Sequence, residues 1–292
     1  MMEEKRSAPM GVAMKGMALF VCCCLAAMVF AGNAWAGTTD KSGNWDYNVI
    51  RGGGGIAAQY IGTSKKVAVP AKIDGKKVVE AYIAKAKSVN VKKAKYLVEL
   101  DVEGCKLTTL DVSKCTNLKH LNCNRNKLTK LDVTKNKKLD GLFCSYNRLT
   151  KLDLTKNTKL AFLACHHNNI SKLNVSKNTN LTDIFCNDNR LVKLNVTKNT
   201  KLHYLVCTNN KLTELKVVYN KKLVQLSCAN NKIAKLNLKY NKKLGALACE
   251  NNKLTKLNLS NNTKLTYVGC WGNELTAAPK VPEGCELIMT MD

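Results

Sequence analysis

Cysteine recurs every 21 residues through most of this chain, and that spacing limits the chemistry open to the thiols. The regularly spaced set is Cys123, Cys144, Cys165, Cys186, Cys207, Cys228, Cys249 and Cys270. A fixed period places these residues in one column of a stacked structure, where neighbouring strands lie about 4.8 Å apart. Side chains that lie parallel in such a ladder have the wrong torsion for a disulfide bond. We therefore interpret this cysteine ladder as buried thiols that act as small apolar groups.

Three further cysteines, Cys105, Cys115 and Cys285, lie off the ladder. Cysteines in an exported chain usually indicate disulfides, so one bridge among these three remains open. The ladder cysteines are not expected to be nucleophiles, because burial in apolar surroundings keeps a thiol protonated.

The adjacent histidines His166 and His167 suggest either a metal site or a pH-sensitive contact. Neighbouring residues of a strand point to opposite sides, however, and no set of carboxylates or histidines with ligand spacing surrounds the pair. The sequence also lacks a recognisable Ser/His/Asp motif and a paired-carboxylate signature. We therefore predict no metal, no cofactor and no enzymatic activity.

A repeated 21-residue unit supplies the elements that must position these side chains. The repeats run from Leu97 to Cys285, as eight full units and a degenerate ninth, and one copy reads LKHLNCNRNKLTKLDVTKNKK. Apolar residues hold unit positions 1, 4, 11, 14 and 16, cysteine holds position 6, and asparagine holds positions 9 and 19. A unit this short cannot bury its apolar side alone, so it must stack on its neighbours.

Each unit is predicted to add one short strand to a parallel sheet. Strand alternation points positions 4 and 6 inward and positions 3 and 5 outward, while positions 11, 14 and 16 fill the core from the other side. The asparagines at position 9 are expected to hydrogen-bond buried backbone groups of the turns. This asparagine ladder comprises Asn126, Asn147, Asn168, Asn189, Asn210, Asn231 and Asn252, with Asn273 in the last unit. The predicted fold is a mainly β solenoid with the sheet on its concave face and irregular or 3₁₀ turns on its convex side.

The units resemble the bacterial leucine-rich repeat, LxxLxLxxNxLxxL, and more narrowly its 21-residue cysteine-ladder variant of the internalin type. The stretch from Trp45 to Ile83 resembles the N-terminal segment of BspA-like surface repeat proteins. The resemblance implies a horseshoe or nearly straight solenoid that serves in adhesion or protein recognition.

The sequence divides into four predicted segments. Residues 1–36 are interpreted as a signal peptide cut after Ala36, because basic residues precede a short apolar run and the small residues of Ala34-Trp35-Ala36 follow it. Residues 37–96 are predicted to form a small β cap, 97–285 the repeats, and 286–292 a C-terminal tail. No second apolar run is long enough to span a membrane, so we expect a secreted, periplasmic or cell-surface protein.

The less common side chains of the repeats fall on the outward face of the predicted sheet or at its edge. Phe143, Phe162 and Phe185 occupy strand positions 3 or 5, and with Tyr204 they are expected to form one aromatic strip. Exposed aromatic clusters commonly anchor protein interfaces, although cross-strand packing that only stabilises the sheet is the alternative. The predicted ligand-binding residues are His120, Phe143, Tyr146, Phe162, His166, His167, Phe185, His203, Tyr204, Tyr267 and Trp271.

Lysine and arginine follow a different pattern and give the chain a formal net charge of +26. They fill unit positions 10, 13, 18 and 21, which are predicted to lie in the turns and on the convex side. These lysine columns favour solubility, or attraction to an anionic polysaccharide or another envelope polymer. A protein ligand is thus our first hypothesis and a polyanion the alternative, and we predict no nucleic-acid partner because no recognised motif for one is present.

Overall fold

The computed structural model describes residues 37–50, 52 and 54–290, so the predicted signal peptide lies outside the described residues. The described chain contains seventeen strands and no helix. The strands before the repeats are β1 (Thr38–Thr39), β2 (Trp45–Val49), β3 (Ile56–Tyr60), β4 (Lys66–Ala68), β5 (Lys72–Ile73), β6 (Lys76–Tyr82) and β7 (Ser88–Asn90). The later strands are β8 (Glu99–Asp101), β9 (His120–Asn122), β10 (Gly141–Phe143), β11 (Phe162–Ala164), β12 (Asp183–Phe185), β13 (Tyr204–Val206), β14 (Gln225–Ser227), β15 (Ala246–Ala248), β16 (Tyr267–Gly269) and β17 (Glu286–Ile288).

One short strand per unit builds a continuous parallel sheet. Strands β8 to β17 pair in sequence order, each parallel to the next. Between units the register follows the repeat, so that Leu121 lies beside Leu142 and Leu142 beside Leu163. Equal unit positions therefore form straight columns, and the predicted leucine-rich-repeat solenoid is confirmed. Units 1 to 9 begin at Leu97 and at every twenty-first residue after it.

The sheet continues beyond the repeats at both ends. In the segment predicted as a cap, β3 and β6 join the sheet in parallel, with Ala81 of β6 beside Leu100 of β8, while β1 and β2 close the end in antiparallel pairing. Strands β4 and β7 pair separately as a two-stranded sheet. The segment predicted as a tail contributes β17, which pairs with β16. Two irregular turns of the same solenoid thus precede the regular units.

The core consists of the inward strand positions and the apolar positions of the returning chain. The ladder cysteines from Cys123 to Cys270 are at most 1% exposed, and burial raises the pKa of each thiol, for Cys165 to about 12. All eleven cysteines of the described chain are free. The prediction that the ladder thiols act as small apolar groups agrees with this packing.

The asparagines at position 9 satisfy backbone groups of two adjacent units, as expected. Asn147 shows the pattern: its Nδ2 donates to the carbonyl of Cys123 at 2.9 Å and of Cys144 at 3.1 Å. Its Oδ1 accepts from the backbone N–H of Leu128 at 3.0 Å. Each such side chain therefore joins its own strand end to the preceding unit, where the backbone would otherwise be buried unpaired.

Position 19 forms a second asparagine ladder, a role that the repeat pattern alone did not indicate. Asn157 is fully buried, and its Nδ2 donates to the carbonyls of Val133 and Asn136 in the preceding unit, both at 2.9 Å. The same two bonds recur at Asn136, Asn178, Asn199, Asn220, Asn241 and Asn262. The second ladder thus ties consecutive turns together outside the parallel strands.

The two cysteines that precede the cysteine ladder occupy these asparagine columns in unit 1. Cys105 stands at position 9, with its Sγ 2.9 Å from the carbonyl of Ile83. Cys115 stands at position 19, with its Sγ 3.7 Å and 3.8 Å from the carbonyls of Val91 and Ala94. Both thiols therefore replace a carboxamide where unit 1 meets the irregular turns.

Candidate protein-binding face

The outward side of the parallel strands, which we call the sheet face, carries a row of three phenylalanine rings, the Phe row. Phe143 and Phe162 stack with centroids 4.8 Å apart, and Phe162 and Phe185 lie 5.4 Å apart in a tilted arrangement. A Cβ added at Gly141 would come within 3.3 Å of the Phe143 ring, so glycine leaves room for that ring. Packing fixes the Phe row, and it leaves Phe143 and Phe162 half-buried and Phe185 only 5% exposed.

The Phe row ends at Phe185, and Tyr204 does not extend it. Tyr204 lies beside Asp183 in the register of β12 and β13, while Val206 lies beside Phe185. No ring contact joins Tyr204 to Phe185 among the described residues. The expected strip of four rings is therefore a row of three, and the strand neighbour of Tyr204 in unit 5 is the carboxylate of Asp183.

A second line of side chains follows the edge of the sheet at unit position 8. The Arg125 guanidinium lies 4.7 Å from the centroid of the Tyr146 ring, which stacks on His167 with 4.3 Å between centroids. The Nε2 of His167 lies 3.3 Å from Asp188, and Asn209 donates to Asp188 at 2.7 Å. We call this line the edge column. It exposes more surface than the Phe row: Tyr146 is 39% exposed.

The edge column holds its residues in a left-handed backbone conformation. Position 8 has φ between 50° and 68° in every unit. Glycine, asparagine or aspartate fills that position in most units, and those residues tolerate it well. The exceptions are Arg125, Tyr146 and His167, in units 2 to 4 beside the Phe row. Such conformations cost about 1–3 kcal/mol each, so large side chains are held there against the backbone preference.

His166 packs against the rings of the edge column. Its ring meets Tyr146 edge-on at 5.1 Å and His167 at 5.3 Å. Burial, followed by repulsion from His167, lowers the pKa of His166 to about 4. A neutral imidazole therefore packs at this point. Among the described residues, no three or more histidines, cysteines or carboxylates lie close enough together to hold a metal ion.

Carboxylates collect at the N-terminal end of the sheet face, a feature that sequence reasoning missed. The Tyr82 hydroxyl donates to Glu80 at 2.8 Å, and its oxygen also lies 3.3 Å from a carboxylate oxygen of Glu99. Asn122 donates to both Asp101 and Glu103 at 3.0 Å. Burial raises the pKa of Glu80 and of Asp101. The sequence could have indicated this acidic end, because positions 3, 5 and 7 of unit 1 are all acidic.

His120 joins this acidic end to the Phe row. Its Nδ1 lies 3.5 Å from Glu99 and its Nε2 lies 2.8 Å from Asp140. The hydrogen bond with Glu99, together with the nearby Asp140, raises the pKa of His120 against the opposing effect of burial. A Cβ at Gly141 would meet the His120 ring at 3.1 Å. The same glycine thus accommodates both His120 and Phe143.

The remaining predicted residues lie outside this cluster. His203 is half-buried beside Tyr204 in unit 6. Tyr267 and Trp271 belong to unit 9, four units beyond Phe185, and are also half-buried. The Tyr267 hydroxyl lies 3.5 Å from Glu250, whose carboxylate is buried above Gly269 and has a raised pKa because of that burial. The predicted set therefore splits into a cluster in units 2 to 5 and outlying residues.

Solved structures that this chain matches include leucine-rich-repeat proteins. The functional domain of InlJ from Listeria monocytogenes, which includes a cysteine ladder, is 44% identical over 64% of this chain, with a TM-score of 0.64. This chain covers 42% of that InlJ chain. An internalin, InlF, from the same organism is 21% identical, with a TM-score of 0.58 over 68% of each chain. PEPR1, solved with AtPEP1, is 20% identical, with a TM-score of 0.59 over 68% of this chain and 31% of that one.

The described chain is therefore a leucine-rich-repeat solenoid. Its repeats are similar to those of the cysteine-ladder domain of InlJ, which confirms the predicted internalin-like character. No protein-family model matches the sequence, and no curated protein matches it either. In the part of the chain that the structure describes, no helix is long and apolar enough to cross a membrane.

Proposed function

We propose that this chain is an exported, non-enzymatic module that binds a protein through its sheet face, centred on the Phe row and the edge column in units 2 to 5. The observation that carries the proposal is the strained backbone of Arg125, Tyr146 and His167 beside three packed phenylalanines. Residues held in unfavourable conformations cluster at functional sites. Stacked, rigid rings with polar neighbours are also what protein interfaces use as anchors.

The comparisons support the general class of this function. The structural neighbours include PEPR1, solved with AtPEP1, and the functional domain of InlJ. Export is supported by the signal-like pattern of residues 1–36, and burial of the ladder thiols is compatible with an oxidising compartment. We keep the division into a cap (37–96), repeats (97–285) and tail (286–292) as part of the proposal.

The proposal is tested by replacing the Phe row. Alanine already occupies the corresponding positions at Ala164 and Ala246, so Phe143→Ala, Phe162→Ala and Phe185→Ala give sequences that the fold uses elsewhere. The matched control is Tyr219→Ala with Tyr240→Ala, two exposed rings at position 18 on another side of the unit. In a pull-down from host and bacterial surface proteins, the Phe variant should lose partners that wild type and control retain. Equal capture by all three proteins, with unchanged melting of each, would contradict the proposal.

Binding of a polyanion through the lysine columns is the second candidate. A groove of about 510 Å³ in units 7 and 8 is lined by Lys235, Lys239 and Lys256, with Asn237, Asn258 and Asn261. Several lysines around one groove suit sulfated or phosphorylated polymers. The dependence of binding on ionic strength distinguishes the two candidate functions. Interactions between exposed charges weaken steeply as salt is added, whereas ring contacts do not.

A further inference from the structure

The sheet face has the opposite charge to the rest of the molecule. The chain carries 47 lysines and arginines against 21 aspartates and glutamates. At unit positions 3, 5, 7 and 8, which form the sheet face and its edge, the nine units contain no lysine and one arginine, Arg125. Six acidic residues occupy the same positions: Glu99, Asp101, Glu103, Asp183, Asp188 and Glu250. Lysine is therefore excluded from the face on which the Phe row lies.

The acidic side chains surround the ring cluster on two sides. Glu99 and Asp140 flank His120 at the N-terminal side, and Asp188 closes the edge column beside His167. The guanidinium of Arg125 lies 3.3 Å from Glu103, and its side chain is 62% exposed. The carboxylates outnumber their cationic partners, so the face has a surplus of negative charge next to apolar rings.

We propose that the protein segment bound by the sheet face presents lysine or arginine side chains beside an apolar side chain. This inference rests on the proposed function and specifies its partner. The rings would receive the apolar group, and they would also attract cations through their faces, as Tyr146 already attracts Arg125. The carboxylates would provide complementary charge, which steers association and rejects acidic partners. The occupant is thus a basic, partly apolar segment and not an anionic polymer.

The test uses short synthetic peptides as probes and the purified chain as the receptor. One peptide combines lysine with leucine in a Gly/Ser background, a second replaces each lysine with glutamate, and a third replaces each leucine with serine. Dissociation constants are measured by fluorescence anisotropy at physiological ionic strength. The lysine/leucine peptide should bind about tenfold or more tightly than either of the others, a difference expected for complementary charge joined to an apolar anchor.

Two variants that each remove three carboxylates test whether the preference for the lysine/leucine peptide comes from the sheet face. Glu99→Gln, Asp101→Asn and Glu103→Gln remove carboxylates from the sheet face. Asp111→Asn, Asp132→Asn and Asp153→Asn remove the same number at position 15, where Asn174 and Asn195 already make the same turn contact. The first variant should weaken binding of the lysine/leucine peptide about tenfold, and the second should leave it unchanged. Melting curves check that both variants fold.

The outcomes separate this inference from the proposed function. Preference for the glutamate peptide, or equal weakening by both charge variants, would overturn the inference. Salt-dependent self-association that is lost in the first variant would also overturn it, because the lysine columns of a second copy would then be the occupant. If the lysine/leucine peptide binds wild type and the Phe variant alike, the proposed function fails. A ligand that depends on the Phe row but carries no basic residue leaves the proposed function intact and removes only the inference.

Discussion

Tyr146 stacks on His167 with 4.3 Å between ring centroids and 15° between ring planes, and both residues have left-handed backbone angles. The pair joins two consecutive units at the edge of the sheet. The favourable ring contact is worth about 0.5–1.5 kcal/mol, while each left-handed backbone costs about 1–3 kcal/mol. Stability alone would therefore not select these side chains over the asparagine found in later units, which is why we assign them to binding.

Replacement of Tyr146 by asparagine should separate stability from binding. Asparagine tolerates the left-handed backbone, so relief of strain offsets the lost stacking on His167 and the lost contact with Arg125. We expect the free energy of unfolding in urea to change by less than about 1 kcal/mol, while affinity for the lysine/leucine peptide falls. A large loss of stability with full affinity would assign Tyr146 to the fold instead.

The cysteine ladder should respond to polarity more than to size. Cys165→Ser places a hydroxyl in a fully buried apolar column, so we expect a loss of about 1–3 kcal/mol in unfolding free energy. Cys165→Ala removes the sulfur without adding a polar group, and it should cost less than the serine variant. Urea denaturation of the two variants measures the difference. A serine variant as stable as wild type would show that the ladder is not a dry apolar column.

The contribution of the second asparagine ladder to stability can be tested at Asn157, with cysteine as one replacement because the chain has Cys115 at the same unit position. Asn157→Ala leaves the carbonyls of Val133 and Asn136 without their donor, which should cost about 2–4 kcal/mol. Asn157→Cys copies the arrangement of Cys115, whose thiol lies near two carbonyls of the preceding turn, and should cost less. Thermal unfolding of both variants compares them. Equal destabilisation would mean that Cys115 fills space without replacing the carboxamide.

The buried imidazole of His166 should make the protein sensitive to acid. Its pKa is about 4 in the folded chain and 6.5 when unperturbed, so between these values the unfolded state binds more protons. Stability from this residue therefore falls as the pH drops from neutral, by about 2 kcal/mol at pH 5.

The variant His166→Gln lacks the titrating imidazole, so its pH dependence of stability can be compared with that of wild type. The raised pKa of His120, and those of Glu80 and Asp101, act in the opposite direction but are common to both proteins, so they cancel in the difference. Urea midpoints measured at pH 7 and at pH 5 should fall further for wild type than for the variant. Parallel changes would show that His166 is not held neutral in the fold.

The repeat pattern predicted the fold well because equal spacing forces equal positions into columns. Burial of Cys144, the backbone bonds of Asn147 and the outward direction of Phe162 all follow from strand alternation in register. The two irregular turns before Leu97 were not recognised as solenoid, because their lengths differ from 21 residues and cysteines replace the asparagines at the junction.

The candidate site was harder to predict than the fold. The ring types at Phe143 and Phe162 were evident, but burial of Phe185 depends on contacts between neighbouring units that a single unit does not show. The left-handed backbone of Tyr146 could not be predicted from its residue type. Position 8 is glycine, asparagine or aspartate in most other units, and those residues are typical of this conformation. The acidic end was overlooked because the large excess of lysine in the composition dominates any count of charge.

Crosslinking from two chosen positions tests most directly whether the sheet face is the binding surface. The same photoreactive phenylalanine analogue is placed either at Phe162, in the Phe row, or at Tyr219, which is 57% exposed away from the sheet face. We expect a partner captured by wild type to be crosslinked from position 162 and not from position 219. Crosslinking from position 219 alone would contradict a binding sheet face, because the partner would then contact the turns and their lysine columns.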